Sequence, residues 1–262
     1  MYNVLVVNPN GSTAITDTIK AGIDRYAPPH VSISYWTCIG GPPVLQSQAD
    51  IDASTTTCLE KLVPLCPEYD GFLVACYADH SLVKALQAHV GAKPVTGIFE
   101  ASIAAALDLG LPPPRHFRFA ILTTGKPYEK QLEQGVMKIL QQLEQGVMAV
   151  LQDADADGDG NGDDARFAGV VATGIGLADY EQPSRTAARA KMTEGVRRVL
   201  QLGNIGAICI GGVILHGTEH WVREICEAEL GAAEAAQVVV VDQFQAGIQS
   251  LHRRLCCADG NA

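Results

Sequence analysis

The feature that most constrains this chain is a regular alternation of short, charge-poor, β-branched runs with longer amphipathic segments. The runs Asn3–Val7, Val31–Tyr35, Gly71–Cys76, Val95–Ile98, Phe119–Thr123, Arg166–Ala172, Ala207–Gly211 and Gln237–Val241 read as strands. Between them Ser12–Tyr26, Ala49–Leu62, Leu82–Val90, Glu100–Leu109, Tyr128–Gln152, Arg185–Leu200 and Thr218–Glu229 read as helices. A last helix begins near Asp242 and carries Phe244, Ile248 and Leu251 on one face. Strands separated by helical crossovers run parallel, and strands so poor in charge belong to sheets covered on both faces.

The same plan occurs twice. One strand ends at Asn8 and a later one at Cys76; further on, one ends at Thr124 and a later one at Gly212. The second spacing is longer because of two insertions. Residues 131–141 (QLEQGVMKILQ) are followed by a near copy at 142–152 (QLEQGVMAVLQ), and an acidic, Gly-rich stretch occupies 153–164. Eleven residues make about three helical turns, so the copy lengthens a surface helix while nearly keeping its buried face. The expected architecture is α/β: two pseudo-symmetric Rossmann-like halves, each a short parallel sheet flanked by helices, with the active site in the cleft between them. The expected division assigns 1–97 plus 214–262 to the first half and 98–213 to the second. Cys76 and Gly212 then hold equivalent positions.

A net charge of −10 argues against nucleic acid, which needs clustered Lys and Arg. No apolar run reaches the ~18–20 residues of a membrane span. The eight cysteines, without secretory features, read as thiols of a cytoplasmic protein. No metal is expected: C-x-x-C pairs with further ligands are missing. The stretch 153–164 places Asp153, Asp155, Asp157 and Gly158 as an EF-hand loop does. It ends in Asp164 rather than Glu and has Gly160 where an apolar residue packs, so it reads as a solvated acidic loop. Gly40-Gly41-Pro42-Pro43 lacks the Lys-Ser/Thr of a phosphate loop and reads as a turn.

Cys76 sits where the apolar run Gly71–Cys76 meets a polar turn, Tyr77-Ala78-Asp79-His80. Ligands of open α/β sheets bind beyond the carboxyl ends of strands, which makes this the place for a reactive group. A following helix N-terminus would stabilise a thiolate, with Asp79 as its cap and His80 polarising the thiol or facing solvent. The alternative is a small buried hydrophobe.

The segments Asn8-Pro9-Asn10-Gly11-Ser12, Gly41-Pro42-Pro43, Val74–His80, Pro94–Ala101, Leu122-Thr123-Thr124 and Val240-Val241-Asp242 follow one another along the chain. In that order they resemble the hydantoin and allantoin racemase branch of the aspartate/glutamate/hydantoin racemases. The resemblance implies a cofactor-independent isomerase acting on a small molecule, without metal, through two cysteines flanking an acidic carbon. It also implies that Asn10, Ser12, Thr123 and Thr124 hold the substrate. Backbone N–H groups at Tyr77, Gly212 and Val213 would assist them.

The second cysteine motif of such enzymes is replaced here by Ile210-Gly211-Gly212-Val213. Cys209 lies three residues back, on the other face of a strand, and reads as core. His216, four residues beyond Gly212, is the candidate second acid, or else a turn histidine. The expected activity is proton transfer at an acidic C–H of a hydantoin-, allantoin- or amino-acid-like compound by Cys76. The alternatives are a single-cysteine isomerase or decarboxylase, or a binding protein without turnover. Pseudo-symmetric α/β enzymes often form symmetric homo-oligomers, and this one is expected to.

Overall fold

The computed structural model describes residues 1–109, 117–151, 166–179, 185–258 and 260. The first four strands are β1 (Tyr2–Asn8), β2 (Val31–Thr37), β3 (Gly71–Val74) and β4 (Val95–Gly97), paired in parallel in the order β2-β1-β3-β4. The other four are β5 (Arg118–Thr123), β6 (Phe167–Ala172), β7 (Ile205–Gly211) and β8 (Val239–Asp242), in the order β6-β5-β7-β8, again parallel. Every strand expected from the sequence is present. The acidic stretch 153–164 lies outside the described residues.

The helices are α1 (Thr13–Asp24), α2 (Gln48–Leu62), α3 (Leu82–Val90), α4 (Ile98–Asp108), α5 (Lys126–Leu151), α6 (Thr186–Leu200), α7 (Glu219–Leu230), the short α8 (Ala232–Ala235) and α9 (Gln243–Ala258). Helix α5 runs through the first copy of the 11-residue repeat and on into the second as far as Leu151, in keeping with the periodicity. The first copy buries Leu132 and Val136, whereas Leu143, the second copy's counterpart of Leu132, is exposed. No described helix is long and apolar enough to cross a membrane.

The two sheets repeat one register. Val7 pairs with Val74, which pairs with Gly97; Leu122 pairs with Ile210, which pairs with Asp242. Two residues beyond Val74 is Cys76, and two beyond Ile210 is Gly212, so these two positions correspond. Four residues further, His80 and His216 correspond as well.

One expected boundary is corrected. The segment 214–262 was assigned to the first half, but β8 hydrogen-bonds to β7 and completes the second sheet. Only α9 crosses back, packing on α1, β3 and β4, while α4 packs on β7 and β8. Each half thus lends a helix to the other. Phe244 of α9 rests against Gly22 of α1, where a Cβ would lie 2.3 Å from the ring; Phe99 of α4 rests against Gly135 of α5 at 2.9 Å. A side chain at either glycine would push the borrowed helix away. The central core between the sheets joins residues of both halves, including Val6, Leu73, Tyr77, Phe99, Ile121, Leu132, Cys209 and Phe244. Separate clusters lie under α2 and α3, and under α6 and α7.

Candidate active site

Strand β3 ends at Val74, so Cys76 stands two residues past its carboxyl end, half-buried, in the turn before α3. Backbone N–H groups of Tyr77 and Ala78 donate to nothing among the described residues, and neither does that of Val213 in the matching turn after β7. Free donors at strand ends are what an anion or an enolate oxygen requires.

The loop after β1 is built rigidly. Buried Asn8 donates through Nδ2 to the Ser12 carbonyl and Thr16 Oγ1, both at 2.9 Å, and to Asn10 Oδ1 at 3.2 Å. Asn10 Oδ1 also accepts from the Ser12 N–H at 2.9 Å, which leaves the Asn10 Nδ2 donors uncommitted. Ser12 caps α1, its Oγ accepting from the Ile15 N–H. The Gly41-Pro42 turn closes on this loop through Gly11 N–H to the Pro42 carbonyl at 3.0 Å, so closely that a Cβ on Gly11 would lie 2.7 Å from the Gly41 oxygen.

In the second half Thr123 is buried at the end of β5, and its carbonyl accepts from Thr173 N–H and Oγ1. Thr124 follows it and turns its methyl toward Gly212. Gly212 adopts φ +137°, a backbone that favours glycine. Its peptide is gripped by the buried side chain of Gln243, which donates from Nε2 to the Gly212 carbonyl at 2.8 Å and accepts the Gly212 N–H at 3.3 Å. The expectation that the Gly212 N–H holds substrate is therefore corrected: that donor is taken, and the free one is at Val213.

Four buried side-chain polar atoms among the described residues lack a hydrogen-bond partner: Tyr77 OH, His80 Nε2, Glu100 Oε2 and His216 Nδ1. Buried polar atoms are nearly always satisfied, so orphans mark places built for something other than stability. Here they belong to residues of the turns after β3 and β7 and of the first turn of α4, although the Tyr77 hydroxyl lies in the core.

Residues 4–251 match the Asp/Glu/hydantoin racemase family. The chain belongs to that family. An uncharacterised protein of Schizosaccharomyces pombe is 28% identical over 252 residues, spanning 96% of this chain and 91% of its own. Among solved structures, the allantoin racemase of Pseudomonas fluorescens superposes with a TM-score of 0.71 at 19% identity, covering 98% of this chain and 92% of its own. The allantoin racemase of Klebsiella pneumoniae gives 0.68 at 22% identity, covering 100% and 90%. These similarities establish the α/β racemase fold.

Electrostatics in the family's site differ from expectation at Cys76. Burial, and then the carboxylate of Glu100, push the thiol up to about 12, so no thiolate is stabilised in the free protein. Ser81, at the N-cap of α3, turns its hydroxyl to Thr55 Oγ1 at 2.7 Å rather than to the helix, and Asp79 pairs with Lys138 of α5. His80 neither faces solvent nor carries charge. It is buried, its Nδ1 accepts from the Leu82 N–H at 3.2 Å, and burial lowers it to about 4. Tyr77 turns its ring into the core, edge-on to Phe99 with centroids 5.4 Å apart and against Gly211, so only its backbone faces the turn. Cys209 is fully buried, with Sγ near the Ser102 carbonyl.

His216 does not stand free. Its Nδ1 lies 3.8 Å from Glu219 Oε1 and 3.7 Å from Asp242 Oδ2, and its ring meets Phe244 edge-on. Burial and the neighbouring Asp242 raise Glu219. Asp242 is pushed up by burial, yet the neighbouring His216 and Glu219 and the bond from the Gln245 N–H hold it below the usual range.

Two residues escaped sequence reasoning as site members. Glu100, quoted above only inside a motif, folds back over Gly97 with its Oε2 buried, and burial raises it to about 7. Its signal was an acidic residue inside the apolar stretch Val95–Ala106. Gln243 had a similar one, a polar residue heading a helix between Val240-Val241-Asp242 and Phe244.

Proposed function

We propose that this family member is an isomerase in which Cys76 exchanges a proton with an acidic carbon of a small carbonyl compound of the hydantoin, allantoin or amino-acid type. The observation that carries the reading is a half-buried thiol at a strand end of a racemase fold, followed by free N–H donors and influenced by the buried Glu100. The similarity to allantoin racemases supports that substrate class. No cofactor is required by this chemistry. Cys76 first passes its own proton to Glu100, the carboxylate whose charge acts on it; the thiolate so formed takes the substrate proton, the C–H electron pair moves onto the carbonyl, and the oxyanion is met by the N–H groups of Tyr77 and Val213. Asn10 Nδ2 and Thr124 hold the carboxylate or cyclic amide. The S–H then returns a proton to carbon.

A second reading has its own support. Inversion needs a donor on the opposite face, and Gly212, which matches Cys76, offers no side chain. One-face exchange, serving isomerisation or decarboxylation, needs only Cys76.

The test is incubation of single enantiomers of allantoin, 5-substituted hydantoins, aspartate and glutamate in deuterium oxide, following optical rotation and α-deuteration together. Deuteration and loss of rotation that both vanish in Cys76→Ala support the racemase. Deuteration without loss of rotation supports the one-face enzyme. Loss of rotation that persists in Cys76→Ala, or no exchange with any of these compounds, overturns the assignment of Cys76 to this chemistry. A His216→Gln variant decides the source of the second proton: retained racemisation removes His216 from that role.

A further inference from the structure

The cluster of His216, Glu219 and Asp242 gathers one imidazole and two carboxylates out of solvent. All three ligating atoms lie within 4.8 Å of one another. The side chains are about nine-tenths buried or more, exposing 10%, 11% and 5%. The Nδ1 of His216 points at both carboxylates, 3.8 Å from one and 3.7 Å from the other, and has no partner. Those separations are too long for hydrogen bonds. Neither carboxylate is paired with a lysine or arginine among the described residues, and buried carboxylates are normally paired or bound to a metal.

A cation drawn into this gap would take the imidazole nitrogen and one oxygen from each carboxylate, with further positions left open. The ligands are also oriented in advance. Asp242 Oδ1 accepts the Phe244 and Gln245 N–H groups at 2.8 and 2.7 Å, which aims Oδ2 at His216; Glu219 Oε1 accepts the Gly217 N–H at 3.1 Å. Fixing of ligands by such outer bonds is what holds a metal site in shape.

We propose that His216, Glu219 and Asp242 form a site for a divalent transition metal of the zinc or manganese class, which suits one imidazole and two carboxylates. The site ties the turn after β7 to the start of α9. It therefore braces the neighbouring Gln243–Gly212 contact that shapes the second half of the cleft. The resemblance to racemases implies no metal here, and the site is independent of the role given to Cys76.

The experiment uses the full chain stripped with a chelator, dialysed, and titrated with Mn²⁺ by electron paramagnetic resonance and with Co²⁺ by visible absorption. Neither signal is confused with thiolate binding, since sulfur ligation of Co²⁺ adds an intense near-ultraviolet band. Expected is one equivalent per chain without that band, together with a rise in melting temperature on adding metal. Glu219→Gln and His216→Gln, each near in shape to the native residue, should weaken binding at least tenfold and abolish the metal-dependent rise. Circular dichroism confirms that both are folded. Asp242 is left intact because it caps α9. Absence of stoichiometric binding to the wild-type chain overturns the proposal, as does binding unchanged in both variants.

Discussion

Glu100 and His80 place opposite demands on the same fold, and pH sets them against each other. Burial raises the Glu100 carboxyl to about 7, so the folded chain holds a proton there that the unfolded chain has released. Its contribution is complete below about 4.5 and is lost as pH rises to about 7. Burial lowers His80 to about 4, so there the unfolded chain holds the extra proton. That contribution is complete above about 6.5 and is lost as pH falls toward 4. Each is worth up to about 3 kcal/mol, and between pH 4.5 and 6.5 they cancel. The groups facing them are Asp79, Lys84 and Lys138 around Glu100, and Asp79 and Asp52 around His80. Chemical denaturation from pH 4 to 8 should show Glu100→Gln gaining stability with pH up to about 6.5, and His80→Gln losing it up to about 7. Parallel profiles for both variants and the wild type would contradict the burial of these groups. Glu100→Gln should also speed alkylation of Cys76 by iodoacetamide at pH 8, read by peptide mass spectrometry. Removing the negative neighbour lowers the proton affinity of the thiol.

At the scale of the element, the turn after β7 is a backbone device. Gly212 combines φ +137° with a Cβ position 2.9 Å from the Thr124 methyl, and Gln243 locks its peptide. Restoring a cysteine by Gly212→Cys should cost about 1–3 kcal/mol and lower the melting temperature by several degrees, with no gain in racemisation. An unchanged melting temperature together with new racemase activity would show that the turn relaxes freely. Helix α5 offers the reverse case. Residues 141–145, the start of the second repeat, are exposed. Deleting 142–152 removes about three turns and nearly conserves the helical phase. Calorimetry should find the melting temperature within about 2 °C of the parent. A larger loss would mean that the extension packs against something.

Over the whole molecule, the duplicated plan was legible in the sequence because strand formation here rests on local matters: runs of β-branched, uncharged residues bounded by turn formers. Tertiary contact was not needed to place β1 through β8 or to pair Cys76 with Gly212, since both stand at strand ends counted along the chain. The fate of α9 was illegible. Its amphipathic face fits either sheet, and only the contact of Phe244 with Gly22, mirrored by Phe99 on Gly135, decides that each half lends a helix to the other. The electrostatics of the site were illegible for a related reason. A helix N-terminus beside Cys76 is visible in the sequence and argues for a thiolate, but burial and Glu100, carried in on α4, reverse the sign. Thus the order of elements, the parallel sheets, the family and the thiol at a strand end belong to the sequence, because each is settled by near neighbours along the chain. Which helix covers which sheet, which N–H groups remain free, and how His216 comes to face Glu219 and Asp242 belong to the tertiary structure, because those groups meet only when the two halves close on each other.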